Sequence, residues 1–113
     1  MIKFLIVDDE QGIVEEIKEF FTEEGYEVHT AGTGEHGIQA IKSVTPDIAM
    51  IDLKLPDMSG LLVLKVAKEL HPLMKVIVNT GYVDQRMTDQ ALELGCDVFL
   101  HKPFDLAKLK EEV

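Results

Sequence analysis

A chain of 113 residues has material for one hydrophobic core and too little for two. Its 46% hydrophobic and 28% charged residues are the composition of a globular domain, which excludes a disordered tether. Eleven basic side chains against 21 acidic ones give a net charge of −10, a balance that disfavours direct binding to nucleic acid or to an anionic membrane surface.

An apolar run over about 2–7, centred on Phe4-Leu5-Ile6-Val7, predicts a strand buried on both faces, and it ends in Asp8-Asp9-Glu10. Over about 11–24, Ile13, Ile17, Phe20 and Phe21 recur at helical spacing until Gly25 stops the helix. Glu15, Glu16, Glu19, Glu23 and Glu24 face only Lys18 there, the pattern of a solvated helix face. Tyr26 to Thr30 alternates and is more polar, as an edge strand is. Thr33 then caps a helix over about 34–44 with Gly37, Ala40, Ile41 and Val44 inward.

Pro46-Asp47 marks a turn before a strand at 48–51, which runs into Asp52. Pro56-Asp57 is a turn signal in the following loop, and Ser59 caps a helix over about 60–70 with Val63, Val66, Ala67 and Leu70 inward. His71-Pro72 ends it. A strand at 75–79 leads into Thr80-Gly81, and a helix over about 83–94 presents Val83, Met87, Ala91 and Leu94 before Gly95. The last strand, 97–101, runs into Lys102-Pro103, a dipeptide open to a cis peptide bond. Asp105 caps a final helix bearing Leu106, Leu109 and Val113.

Strand followed by helix, five times over, requires parallel pairing through right-handed crossovers. The fold expected is a doubly wound α/β domain, a flavodoxin-like (βα)5 three-layer sandwich with strand order 2-1-3-4-5. Ligands of such sheets bind outside the carboxyl ends of the strands where the order reverses, here between strands one and three. One domain is expected over 1–113, and its short last helix without a natural cap suits the N-terminal part of a longer protein. The first apolar stretch breaks at Asp8, too early for a signal peptide, and no segment reaches membrane-span length, so a cytoplasmic location is expected.

Four strand ends carry the chemistry. Asp8, Asp9 and Asp52 bring three carboxylates to one edge, where two like charges about 4 Å apart repel by roughly 4 kcal/mol at an effective dielectric near 20. Such a cluster takes up protons, stays in water or binds a cation. Oxygen donors with no histidine or thiol among them favour a hard ion, Mg2+ foremost. A strand-end aspartate on its own serves as a helix cap more often than not, but capping needs no lysine, and Lys102 ends the fifth strand. Thr80 adds a hydroxyl able to donate to an anionic oxygen. Cys96, the single cysteine, reads as a small buried residue. His29, His36, His71 and His101 lack metal-ligand spacing.

Asp8-Asp9, Asp52, Thr80, Lys102-Pro103 and the loop Pro56-Asp57-Met58-Ser59-Gly60 together resemble the receiver domain of two-component response regulators of the chemotaxis-regulator type, over essentially the whole chain. The resemblance implies that Asp52 takes a phosphoryl group from a phosphohistidine on a sensor histidine kinase or phosphotransfer protein. It implies a Mg2+ site formed by Asp8, Asp9, Asp52 and the backbone carbonyl of Lys54. Lys102 would pair with a phosphoryl oxygen, Thr80 would swing toward another, and Phe99 would follow it inward. Phe99 lacks the hydroxyl that tyrosine often supplies at that switch position. Lys54 and Tyr82 would flank the phosphoryl group and slow its hydrolysis.

The output surface implied is the fourth helix, fifth strand and fifth helix, roughly 83–113, acting on an output domain, an effector or a phosphorylation-dependent dimer. Such a domain catalyses its own phosphorylation and slow dephosphorylation without turning over an external substrate. A phosphatase of the haloacid dehalogenase type would need an aspartate where Lys54 stands. A docking-only receiver remains the alternative reading.

Overall fold

The computed structural model describes residues 1–81 and 84–113. Strands and helices alternate: β1 (Lys3–Val7), α1 (Gln11–Glu23), β2 (Glu27–Ala31), α2 (Gly34–Val44), β3 (Ile48–Asp52), α3 (Gly60–Leu70), β4 (Lys75–Thr80), α4 (Gln85–Glu93), β5 (Val98–His101) and α5 (Leu106–Glu112). All strand pairs are parallel, in the order β2-β1-β3-β4-β5, as the alternation requires.

Side chains leave successive strand residues on opposite faces, so a strand covered on both sides must be apolar throughout. Leu5, Val7, Ala49, Ile51, Val76 and Val78 pack with Ile41, Leu64 and Ala91, under α2, α3 and α4. Phe4, Ile6, Met50 and Ile77 pack with Val14, Ile17, Phe21 and Leu109, under α1 and α5. The polar β2 lies at one edge of the sheet and β5 at the other.

Local chemistry sets the helix ends. Thr33 Oγ1 accepts from the His36 amide at 3.1 Å and Ser59 Oγ from Leu61 at 3.1 Å. Asp105 Oδ1 accepts from Lys108 at 2.7 Å. Gly25 and Gly95, both at φ 95°, take the left-handed conformation that closes α1 and α4.

Two details depart from the sequence reading. The fourth helix starts at Gln85 instead of about 83, because Asp84 is its cap and accepts from the Arg86 amide at 2.9 Å. Val83 and Tyr82 lie outside the described residues. On α3 the inward stripe is Gly60, Val63, Leu64 and Ala67. Leu70, expected inward, is 46% exposed, since it closes the helix beside the His71–Met74 loop instead of over the sheet.

Candidate functional site

The parallel register builds the site before any side chain is considered. Ile6 pairs with Met50 and Val7 with Ile51, so the next rung sets Asp8 beside Asp52. Asp52 in turn pairs with Asn79, and Thr80 with His101. Backbone bonds hold the strand ends in place: the Asp8 amide donates to Ala31 O at 3.0 Å, and the Lys102 amide donates to Thr80 O at 2.8 Å. The Lys102–Pro103 peptide is cis.

Lys102 Nζ reaches back over this row and donates to Asp8 Oδ2 at 3.0 Å, Glu10 Oε1 at 3.1 Å and Asp52 Oδ2 at 3.1 Å. The other oxygens of the two buried carboxylates are tied to backbone: Asp8 Oδ1 accepts from Glu10 N at 2.9 Å and Asp52 Oδ1 from Lys54 N at 3.0 Å. Burial holds the Asp52 pKa above the usual carboxylate range despite its bonds from Lys54 and Lys102. For Lys102, burial works against the charge, but hydrogen bonds to Asp8, Glu10 and Asp52 outweigh it and hold the ammonium protonated well above its ordinary range. A cleft of about 250 Å³ opens over the row, lined by Glu10, Asp52, Lys54, Thr80, Gly81 and Lys102. That volume is large enough for a small tetrahedral anion, and its walls carry two carboxylates, Glu10 and Asp52, two lysines, Lys54 and Lys102, and the Thr80 hydroxyl.

Carboxylate oxygens of Asp8, Glu10 and Asp52 all lie within 4.8 Å of one another. Three carboxylates against one ammonium leave two negative charges in excess, the charge that a divalent cation neutralises. The donors are all oxygen, which suits a hard ion. The side chain of Asp9 is exposed and stands outside that group.

The loop after β3 is anchored from two sides. Asp57 Oδ1 accepts from the Gly34 amide at 2.8 Å and Oδ2 from the Glu35 amide at 3.0 Å, capping the N-terminus of α2. Those two bonds hold the Asp57 carboxyl below its ordinary pKa. Gly60 N donates to Leu53 O at 2.8 Å, and a Cβ on Gly60 would overlap the backbone carbonyl of Asp52.

Of the residues singled out from sequence, Asp8, Asp52, Thr80 and Lys102 converge, and Lys54 lines the cleft. Phe99 is half-buried on β5, packed against the core under α2, α3 and α4 with its ring 5.2 Å from that of His101, and is not among the residues lining the cleft. Tyr82 lies outside the described residues. Among the described residues no histidines cluster: His29 pairs with Glu27 at 2.7 Å, while His36 and His101 are exposed.

Three participants had no assigned role in the sequence reading. Glu10 stands two residues beyond Asp8, the spacing that returns a side chain to the same side of an extended segment. Asn79 was visible as a polar residue directly after the apolar run Val76-Ile77-Val78. Asp57 had a turn signal and a place in the loop motif, but its capping role was hidden, since its partners lie 22 and 23 residues away on another element.

Fold and site together define a doubly wound α/β domain with an acid–lysine cluster at its switch point. The chain belongs to the response regulator receiver domain family, which matches residues 4–113. It is 34% identical over 111 residues to sporulation initiation phosphotransferase F of Bacillus subtilis (strain 168), covering 98% of this chain and 90% of that one. A CheY-like receiver domain protein from Methanospirillum hungatei JF-1 superposes with a TM-score of 0.97 at 37% identity, over 99% of this chain and 90% of that one. The response regulator TrrA from Thermotoga maritima, solved in complex with Mg2+ and BeF, superposes with a TM-score of 0.87 at 34% identity, over 99% and 96% of the two chains. Further relatives, DNA-binding transcriptional regulators among them, are longer, and this chain spans 22–23% of their length. The protein is thus a receiver domain of two-component signalling, a class that accepts phosphoryl groups on aspartate. Among the described residues no helix is long and apolar enough to cross a membrane.

Proposed function

We propose that Asp52 is the phosphoryl acceptor and that the donor is a phosphohistidine on a sensor histidine kinase or phosphotransfer protein. The observation that carries this reading is the Lys102 ammonium shared by Asp8, Glu10 and Asp52 at 3.0–3.1 Å, beside a cleft that fits a phosphoryl group. A carboxylate oxygen of Asp52 attacks phosphorus in line, the P–N bond breaks, and the imidazole leaves with the bonding electron pair. Positioning and charge neutralisation supply the acceleration, as in phosphoryl transfer generally. Mg2+ would be held by Asp8, Asp52 and the Lys54 backbone carbonyl, with the third carboxylate supplied by Asp9 turning in from its exposed position or by Glu10, and would offset charge on the phosphoryl oxygens.

Phosphorylation adds about −1.5 to −2 charges and three strong acceptors. Lys102 is the nearest cation and pairs with one of those oxygens, while Thr80 donates its hydroxyl to another. Conformations that bring these two side chains in are favoured by the new contacts, and Phe99 repacks with them. The surface of α4, β5 and α5 carries the change to an output domain, an effector protein or a phosphorylation-dependent dimer. Lys54 and Tyr82 flank the phosphoryl group and restrict the hydrolytic water. The domain catalyses its own phosphorylation and slow dephosphorylation, acts in the cytoplasm, and turns over no external substrate.

Incubation with a small acyl phosphate and Mg2+, followed by intact mass measurement, tests the reading. The native chain should gain one phosphoryl group and Asp52→Asn none. Absence of a gain in the native chain would favour a docking-only module.

A further inference from the structure

Asn79 is fully buried, and among the described residues neither Nδ2 nor Oδ1 of its side chain has a hydrogen-bond partner. Its backbone is well used, the carbonyl accepting from Leu53 N at 3.1 Å. A buried amide without partners is uncommon in a strand core, where an apolar residue of similar shape serves better. Its position ties it to the phosphoryl site. Ile77, two residues back, belongs to the core under α1 and α5, so Asn79 faces that side too. Met50 and Ile6 face the same side, which places Asp52 and Asp8 there as well.

Across the carboxyl edge of the sheet the row therefore reads Asp8, Asp52, Asn79 and Leu100. Its three polar members are 1%, 5% and 0% exposed. Among the described residues each Asp52 oxygen has one donor, Lys54 N or Lys102 Nζ, and a carboxylate oxygen accommodates about two. Asn79 holds two N–H donors one strand away, about 4.8 Å in a sheet.

We propose that Asn79 is a positioning residue of the phosphoryl site, whose amide donates to the Asp52 carboxyl, directly or through one buried water, when Lys102 moves to the incoming phosphoryl group. This rests on the reading of Asp52 as the acceptor. The three Lys102 N–H groups are already engaged by Asp8, Glu10 and Asp52, so a phosphoryl oxygen displaces one of these bonds, and the amide fills the place left at Asp52. The acceptor then keeps its orientation through the transfer without a second buried cation, which would weaken the hold on Mg2+.

Asn79→Thr and Asn79→Val give near-isosteric, strand-favouring side chains that differ in a hydroxyl against a methyl. Phosphoryl gain from a small acyl phosphate with saturating Mg2+ is followed by intact mass, and thermal unfolding is measured alongside. The Thr variant should react within about threefold of the native rate and the Val variant about tenfold slower. The donor concentration giving half-maximal rate should stay unchanged in both. The Val variant should unfold at an equal or higher temperature than the Thr variant, so that its slower reaction does not trace to instability. Asn79→Leu serves as the apolar member should Val not fold. Equal rates for the hydroxyl and apolar members would overturn the inference and leave Asn79 a packing residue. No uptake by the native chain would overturn the reading of Asp52, and this inference with it.

Discussion

Gly60 carries the closest packing behind the acceptor. A Cβ there would overlap the Asp52 carbonyl and press on the backbone of Leu53, and backbone atoms of a buried strand end have no easy direction to yield. Gly60→Ala should therefore destabilise by about 2–3 kcal/mol, the cost of overpacking a rigid site, and slow phosphoryl uptake as Asp52 shifts. Denaturant unfolding and the acyl phosphate assay measure the two effects. Sequence supplied the carboxylates, the lysine and the threonine as strand-end residues. It showed Gly60 as the end of the loop motif and the start of a helix but not the clash, which depends on where α3 begins relative to the end of β3. Glu10 was hidden for a related reason: its link to Lys102 spans 92 residues.

The elements were legible wherever local chemistry governs them. Caps at Thr33, Ser59 and Asp105 and the glycines after α1 and α4 act within a few residues of the chain, so pattern reading places them well. Val83 continues the apolar stripe and so suggests an earlier start for α4, whereas the Asp84 carboxylate sets it by accepting from the Arg86 amide in the first turn. The β3–α3 loop adds a link that no local pattern shows, since Asp57 bonds two amides at the start of α2. Asp57→Ala should lower Tm at neutral pH by roughly 4 °C. Its folded-state pKa is lowered, so the stabilisation is complete above the unfolded value, about 3.9, and fades as pH falls through the folded value. Thermal scans across pH 7 to 2 should thus show native and variant chains converging at the acid end.

At the scale of the molecule, the site concentrates negative charge within a chain that already carries −10. Asp8 and Asp52 are buried side by side, and one ammonium is shared between them and Glu10. Without a divalent ion this arrangement costs the folded state stability, which is consistent with the raised pKa of Asp52. Asp52→Asn should raise Tm in chelator at pH 7, since Lys102 keeps Asp8 and Glu10 as partners. Addition of Mg2+ should reverse the ranking: an ion at a hundredfold excess over its Kd stabilises the native chain by about 2.7 kcal/mol, and the Asn variant by less. Paired thermal melts in chelator and in Mg2+ would check both signs, and a native chain indifferent to Mg2+ would remove the metal from the proposal.

By itself the sequence determined the five-fold alternation of strand and helix, and hence a parallel doubly wound sheet. It also determined which residues close the strands, because hydrophobic period, capping and turn chemistry are properties of neighbours along the chain. Tertiary structure alone decided that Lys102 reaches Asp8, Glu10 and Asp52 together, that Asp57 fastens a distant helix, and that Asn79 stands in register beside Asp52. Those relations join residues up to 94 apart, and only the strand register and the packing of helices on the sheet bring them within hydrogen-bonding range.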